Sequence, residues 1–355
     1  MELTWSRLHI PYRSGRFVIS GDTTATNDTF VVQATMDGKV GLGEAVPSRR
    51  VVGVGADEVE AELGRAKSAL GPRSRSGDAA PPLPLPDLPS PVRCALDGAL
   101  LDLWSTRREE PLWRALGLPR PEIPTTATVS LGRPEEMARE AQGHRAAGFR
   151  TLKVKLGEGQ AEADIARIRA VHEVAGGVPL RVDANEGWNL TTTERLLPVL
   201  AECDVEVLEQ PLPRDARPGD LRALTLAAED EGVAHLLDEA AHGAPDVKRI
   251  GEDRLAHGVV LKLQKAGGLR AGLDVVDEAD RQGLKVMVGC FVETWAGIAL
   301  ALQLAGRVAW ADLDGAWLLA EEPVVPVEPF LEDGVLKASE RPGLGIRAAP
   351  EVLSR

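Results

Sequence analysis

The feature that most limits what this chain can fold into is a recurring pattern: brief apolar runs that each end in an ionisable residue. They are TLKVKLG (Thr151 to Gly157), RVDANEGW (Arg181 to Trp188), VEVLEQPL (Val205 to Leu212), HLLDEA (His235 to Ala240) and VVLKLQKAGG (Val259 to Gly268). Asp183, Glu209 and Asp238 fall 26 and 29 residues apart, about one strand-helix-strand unit each. That rhythm points to a barrel of parallel strands.

The rest of the chain agrees. Residues 1 to 45 alternate apolar and polar positions around turns such as Asp37-Gly38, as antiparallel hairpins do. Helical periodicity covers Ala56 to Leu70 and Val92 to Trp104, separated by a stretch from Gly71 to Pro91 rich in proline, serine and glycine that reads as loop. Pro111 opens a short helix that Gly117 ends, so residues 1–120 read as a small α+β domain. From Thr125 short strands alternate with helices: TTATVSL, Pro134 to Ala147, FRTLKVKL, Ala161 to Val174, then strands ending near Asp183, Glu209, Leu237, Leu261, Val288 and Leu313. About eight strands emerge, the count for a (β/α) barrel spanning residues 121–316.

Composition excludes several classes. With 355 residues two domains are expected, and 44% hydrophobic residues are enough for a large core. A net charge of -13 argues against a nucleic-acid partner. No apolar run approaches the roughly 18 residues of a membrane span, and the start lacks a signal-peptide core. Cys94, Cys203 and Cys290 form no CxxC pair, which fits a reduced compartment, so a soluble cytoplasmic protein is expected. Neither GLG at Gly41 to Gly43 nor GVG at Gly53 to Gly55 completes a dinucleotide fingerprint.

In such a barrel the site lies at the C-terminal ends of the strands, where Asp183, Glu209 and Asp238 would meet. A single acid there is ordinarily a solvated strand end, but three sharing one position repel one another unless a cation intervenes, and oxygen ligands favour Mg²⁺. Lys153 and Lys155 are two apart in a strand and share a face, the barrel interior. Like charges so close are expected to depress a lysine pKa and prepare a base. Lys262 ends the sixth strand, across the mouth from Lys155 on the second, with Lys265 in the loop beyond. A substrate between the two could be deprotonated on one face and reprotonated on the other.

Taken in order, these five motifs resemble the enolase superfamily, whose lysine bases and Mg²⁺ are a known pattern. The resemblance implies a modified (β/α)8-type TIM barrel, (β/α)7β, with an α+β capping domain built from the N-terminal segment and a tail, residues 317–355, that returns to it. ALDGALLDLW resembles the helix linking the two domains, and GLGEAVP the last capping strand. Carried over by position, Asp183, Glu209 and Asp238 are the Mg²⁺ ligands, Lys155 and Lys262 the acid/base pair, and Lys153 their assistant.

Within the family, VMVGCFVET lacks the seventh-strand histidine of the mandelate-racemase-like branch, while lysines on both sides match the muconate-cycloisomerase-like branch. DLDGAWLL places Asp312 and Asp314 on one side of the eighth strand, an acidic socket suited to a cation. This resembles the dipeptide epimerases, in which two aspartates hold the substrate's free ammonium group. Ala316 departs from the proline common there. Thr128, Cys290 and Glu293 are further candidates for substrate contact, as is Asp22, which aligns with the arginine that Ala-Glu epimerases aim at the glutamate carboxylate. Arg49 and Arg50 enter a second loop expected over the site. The expectation is therefore an isomerase that binds a dipeptide carboxylate on Mg²⁺ and inverts the α-carbon through an enediolate, with a preference for a hydrophobic or cationic second residue. The alternatives are a muconate-type cycloisomerase, an o-succinylbenzoate synthase or an N-acylamino acid racemase of the same branch, or a non-catalytic binding protein. A homo-oligomer is compatible with the fold.

Overall fold

The structure, a computed structural model, describes residues 1–70, 80–158 and 160–353. Among them eight parallel strands form one sheet: Ala127–Val129, Leu152–Lys155, Leu180–Asp183, Val205–Glu209, Ala234–Leu237, Gly258–Lys262, Lys285–Gly289 and Trp310–Asp312. Each of the first seven leads into a helix, whereas the eighth leads only into the single turn Gly315–Leu318. This is the (β/α)7β barrel expected. Side chains close the seam between its first and last strands. Thr125 Oγ1 accepts from Leu313 N (2.8 Å), Thr128 N donates to Asp314 Oδ2 (2.6 Å), and Thr126 Oγ1 donates to Asp312 Oδ1.

Local chemistry sets the helix limits. Asn189 accepts from Thr192 N and caps Leu190–Glu202, while Gly283 takes φ 69° and ends Leu269–Gln282. Outward residues such as Val154, Val182, Leu208, Val259 and Val288 bury themselves against the helices.

The capping sheet places Thr26–Met36 between Glu2–Pro11 and Lys39–Ala45, all antiparallel. Its Asp37-Gly38 turn has positive φ at both residues, as the dipeptide predicts. The sheet lies on the helix Ser90–Arg107 so closely that a Cβ at Gly43 would stand 2.0 Å from Ala95 O. Close approach, not cofactor binding, explains that glycine pair. The expected loop between the capping helices falls at residues 71–79 outside the described residues; Ala80 to Pro89 carries neither helix nor strand.

The tail touches both bodies. Val324 and Val352 pack with Leu8, Ile10, Val31 and Leu42 of the capping sheet, and Ser6 Oγ donates to Val352 O (3.0 Å). Val335–Lys337 pairs instead with Glu122–Pro124 at the entrance to the barrel. Among the described residues no helix is long and apolar enough to cross a membrane.

Asp102 joins three of these pieces, since its carboxylate accepts from Leu42 N (2.8 Å) and Leu344 N (2.7 Å). Burial pushes its carboxyl up to about 7, against the pull of those two amides. The folded chain therefore holds a proton that the unfolded chain releases near pH 4. Stability from this group is present below about pH 4 and declines as pH rises to 7, by at most about 1.4 kcal/mol per pH unit. Asp102→Asn is expected to remove that decline, measured as the difference between parent and variant urea midpoints from pH 4 to 8. Parallel curves would show that Asp102 does not titrate in this range.

Candidate active site

Strand parity brings the ionisable residues together. Val207, Leu236, Val260 and Met287 form an apolar plug inside the barrel. Two residues further along stand Glu209, Lys262 and Gly289 at the ends of their strands and Asp238 one residue past the end of its own. Arg181 and Asp183 repeat the relation on the third strand, and Trp310, Asp312 and Asp314 at the eighth. The charged layer thus floors a cavity of about 480 Å³ lined by Lys153, Lys155, Asp238, Lys262, Asp312 and Asp314, among others.

Lys153 is the hub of this layer and is 2% exposed. Its Nζ lies 3.1 Å from Asp183 Oδ2, 2.7 Å from Glu209 Oε2 and 2.7 Å from Asp312 Oδ2. Lys155 Nζ donates to Asp183 Oδ2 (2.6 Å), and Lys262 Nζ to Asp238 Oδ2 (2.6 Å). Lys155 and Lys262 belong to the second and sixth of eight strands, on opposite sides of the mouth.

The lysine pair was expected to depress a lysine pKa. Burial does oppose the charge on Lys153, but attraction to Asp183, Asp312 and Glu209 outweighs it and holds the ammonium well above the ordinary range. Lys262 is likewise raised, since Asp238 and Glu209 overcome burial and repulsion from Lys153. The carboxylates, not the neighbouring lysine, dominate the local field.

The acidic socket is buried. Asp314 is pushed up to about 6 by burial and then by Asp312, whereas Asp312 is lowered because Lys153 overcomes its burial. Thr128 and Cys290 line the same cavity. Burial and then Asp312 raise the Cys290 thiol well above its usual value, and Sγ donates to Asp312 O (3.3 Å). Glu293 is placed elsewhere: it is buried, accepting from Phe291 N (2.8 Å) and Gln264 Nε2 (3.2 Å). Asp22 pairs through its backbone with Ile19 in a hairpin, and its side chain lies outside the described residues.

Residues 136–352, more than half of the chain, match the family described as Enolase C-terminal domain-like. The chain belongs to the enolase superfamily. It is 36% identical over 336 residues to the L-Lys-D/L-Arg epimerase of Methylococcus capsulatus, covering 90% of this chain and 91% of that protein. The solved substrate-liganded complex of the L-Ala-D/L-Glu epimerase from Bacillus subtilis is similar at TM-score 0.89 and 29% identity, covering 98% and 99% of the two chains. A dipeptide epimerase from Enterococcus faecalis, solved with Mg and L-Leu-L-Tyr, is similar at TM-score 0.86 and 27% identity, covering 97% and 98%. These relatives place this enolase-superfamily chain among the isomerases.

The donor set fits the hard divalent cation that the superfamily implies. Among the described residues no three acids stand as a closed ligand shell, because Lys153 lies between Asp183 and Glu209 and Lys262 beside Asp238. Yet Asp183 and Glu209 are paired in register, and neither buried oxygen of Glu209 receives a well-directed hydrogen bond. Burial, then repulsion from Asp183 and Asp238, pushes the Glu209 carboxyl up to about 8. A dication among these oxygens would satisfy what the lysines leave unmet.

Several contacts in this superfamily site are not legible in the sequence. Lys265, expected in a loop, is buried in the turn Leu263–Ala266 and donates to Asp238 O (2.6 Å), Asp238 Oδ1 (2.5 Å) and Val260 O (3.1 Å), holding Asp238 in place. Arg50 donates to Ser20 O (3.2 Å) in the capping hairpin and to Asn185 O (3.2 Å) beyond the third strand. Glu44 accepts from Thr294 N and Gly297 N at the start of Trp295–Leu302 and fastens capping sheet to barrel. The only sequence signal for Glu44 is its place in GLGEAVP.

Proposed function

We propose that the protein is a dipeptide epimerase that inverts the α-carbon of the C-terminal residue by proton transfer between Lys155 and Lys262. The observation that carries this reading is their placement on opposite sides of one cavity that also holds the acid pair Asp312 and Asp314. One lysine takes the α-proton as a neutral amine while the other, as an ammonium, gives a proton to the opposite face. Lys153 supplies fixed positive charge beside the substrate carboxylate. When bound, Mg²⁺ held by Asp183, Glu209 and Asp238 would add charge stabilisation at that same carboxylate. Asp312 and Asp314 would receive the substrate's free ammonium, which relieves their mutual repulsion. Muconates, succinylbenzoate precursors and N-acylamino acids have no such ammonium.

The side chain of the second residue meets an apolar wall. Tyr12 and Phe17 stack with ring centroids 5.5 Å apart and line the cavity with Ile19 and Leu318. Arg49 is paired with Glu58 (3.3 Å), and Arg50 is spent on Ser20 and Asn185, so neither awaits a substrate carboxylate. A cationic side chain is the second reading, because Asp28 lines the same wall, where His9 Nδ1 lies 2.5 Å from its Oδ1.

The test is kcat/KM for L-Ala-L-Phe, L-Ala-L-Lys and L-Ala-L-Glu. L-Ala-L-Glu is expected to be poorer than L-Ala-L-Phe by about 100-fold or more, since an unpaired carboxylate is costly to bury. A preference for Glu would remove the specificity reading alone. No α-proton exchange with any dipeptide, together with turnover of a muconate or N-acylamino acid, would overturn the function.

A further inference from the structure

Asn185 and Glu239 line the cavity, yet neither belongs to the proposed metal ligands, the lysine pair or the acid socket. Asn185 Oδ1 accepts from Lys155 Nζ (3.3 Å), and its Nδ2 donates to Glu239 Oε1 (3.2 Å). Only this orientation of the amide serves an ammonium on one side and a carboxylate on the other. Glu239 is 4% exposed, and its second oxygen, Oε2, is buried with no hydrogen-bond partner. A buried carboxylate oxygen left without a donor costs free energy, so its presence here calls for an explanation in what the group does.

The backbone holds the amide in place. Asn185 has φ 43° and Glu186 φ 68°, left-handed conformations that asparagine tolerates better than most residues. Asn185 N donates to Asp183 Oδ1 (2.9 Å), and Asn185 O accepts from Arg50 Nη2 (3.2 Å). The amide is therefore fixed at both ends of its own backbone. The two lysines differ in this respect. Lys262 has Asp238 Oδ2 at 2.6 Å, Glu209 Oε1 at 4.0 Å and the Phe291 ring centroid at 5.9 Å; the Glu239 charge also reaches it, but among the described residues its ammonium donates to no amide side chain.

We infer that Asn185, braced by Glu239, is a positioning residue for Lys155 and so serves proton transfer on one face of the α-carbon only. Asn185 orients the lysine amine toward the cavity, and Glu239 keeps the amide from turning. This rests on the epimerase reading, and it adds an asymmetry between two lysines that the reading itself treats alike.

The experiment is α-proton washout in D₂O from each epimer of a dipeptide that the parent enzyme turns over. Lys155→Ala and Lys262→Ala first assign each epimer to the lysine that faces its proton. Asn185→Leu and Glu239→Leu are then expected to slow washout from the Lys155-facing epimer by about 10- to 100-fold, the range a small misplacement of a catalytic group produces. In Asn185→Leu, washout from the other epimer should stay within about 3-fold, since Lys262 makes no hydrogen bond to that amide and keeps its own contacts; Glu239→Leu also removes a charge that acts on Lys262, so the comparison of faces is read from Asn185→Leu. Glu239→Gln keeps an oxygen for Asn185 Nδ2 and is expected to restore most of the lost rate; it also serves if Glu239→Leu does not fold. Equal losses on both faces in Asn185→Leu, or folded variants with no loss, would overturn the inference and leave the epimerase reading standing. A parent enzyme that exchanges neither epimer of any dipeptide would overturn both.

Discussion

Lys155→Ala and Lys262→Ala should each lower epimerisation by about 10⁴-fold, the upper range for a positioned acid or base. Inversion needs a proton acceptor on one face and a donor on the other, so losing either lysine stops the reaction in both directions. The diagnostic result is what survives: the variant that keeps one lysine should still exchange the α-proton of one epimer with solvent. Both lysines line the cavity, and each is bound to a different acid, Asp183 or Asp238, so removing one leaves the other's contacts in place. Full activity in both variants would rule out the assignment of bases.

The second large effect concerns stability. Lys153→Met should destabilise the fold by roughly 3–5 kcal/mol, the usual cost of removing one partner from a buried ion pair. Here three acids lose a shared cation at once, because Lys153 lies within 3.1 Å of Asp183, Glu209 and Asp312, although Asp183 keeps Lys155. The sign with pH follows from its raised pKa: the ammonium contributes below the ordinary lysine range and only loses its contribution well above it. The deficit should therefore be full at pH 8 and visible as a lower urea midpoint. Added Mg²⁺ should recover part of it, since a dication supplies charge to the same oxygens. A variant as stable as the parent would show that these acids do not repel one another in the fold.

The contrast between Lys153 and Glu293 shows what kind of information a sequence carries. Lys153 was legible because parity along a strand is a local rule: alternate residues share a face, and that face is the barrel interior. Asp183, Glu209, Asp238 and Lys262 follow the same rule, and the helix Ala56–Leu70 was legible from its own local period of about 3.6 residues. Glu293 lies just beyond the seventh strand, where parity no longer applies, and its side chain turns back to Phe291 and Gln264 rather than toward the cavity.

The pKa expectation for the lysines went astray for a related reason. Sequence spacing puts Lys155 next to Lys153, but Asp312 reaches Lys153 from 159 residues away. Arg50, Glu44 and Glu239 likewise meet their partners across long stretches of chain or between the capping sheet and the barrel. No local pattern encodes such meetings.

By itself the sequence determined the barrel, the capping hairpins and the layer of acids and lysines at the strand ends, because each follows from short-range periodicity and its repetition. The tertiary structure alone decided which carboxylate each lysine serves, which loop braces which strand, and that Asn185 stands between Lys155 and Glu239. Coulomb and hydrogen-bond interactions depend on distances of a few ångströms, and those distances are set by packing between segments far apart in the chain.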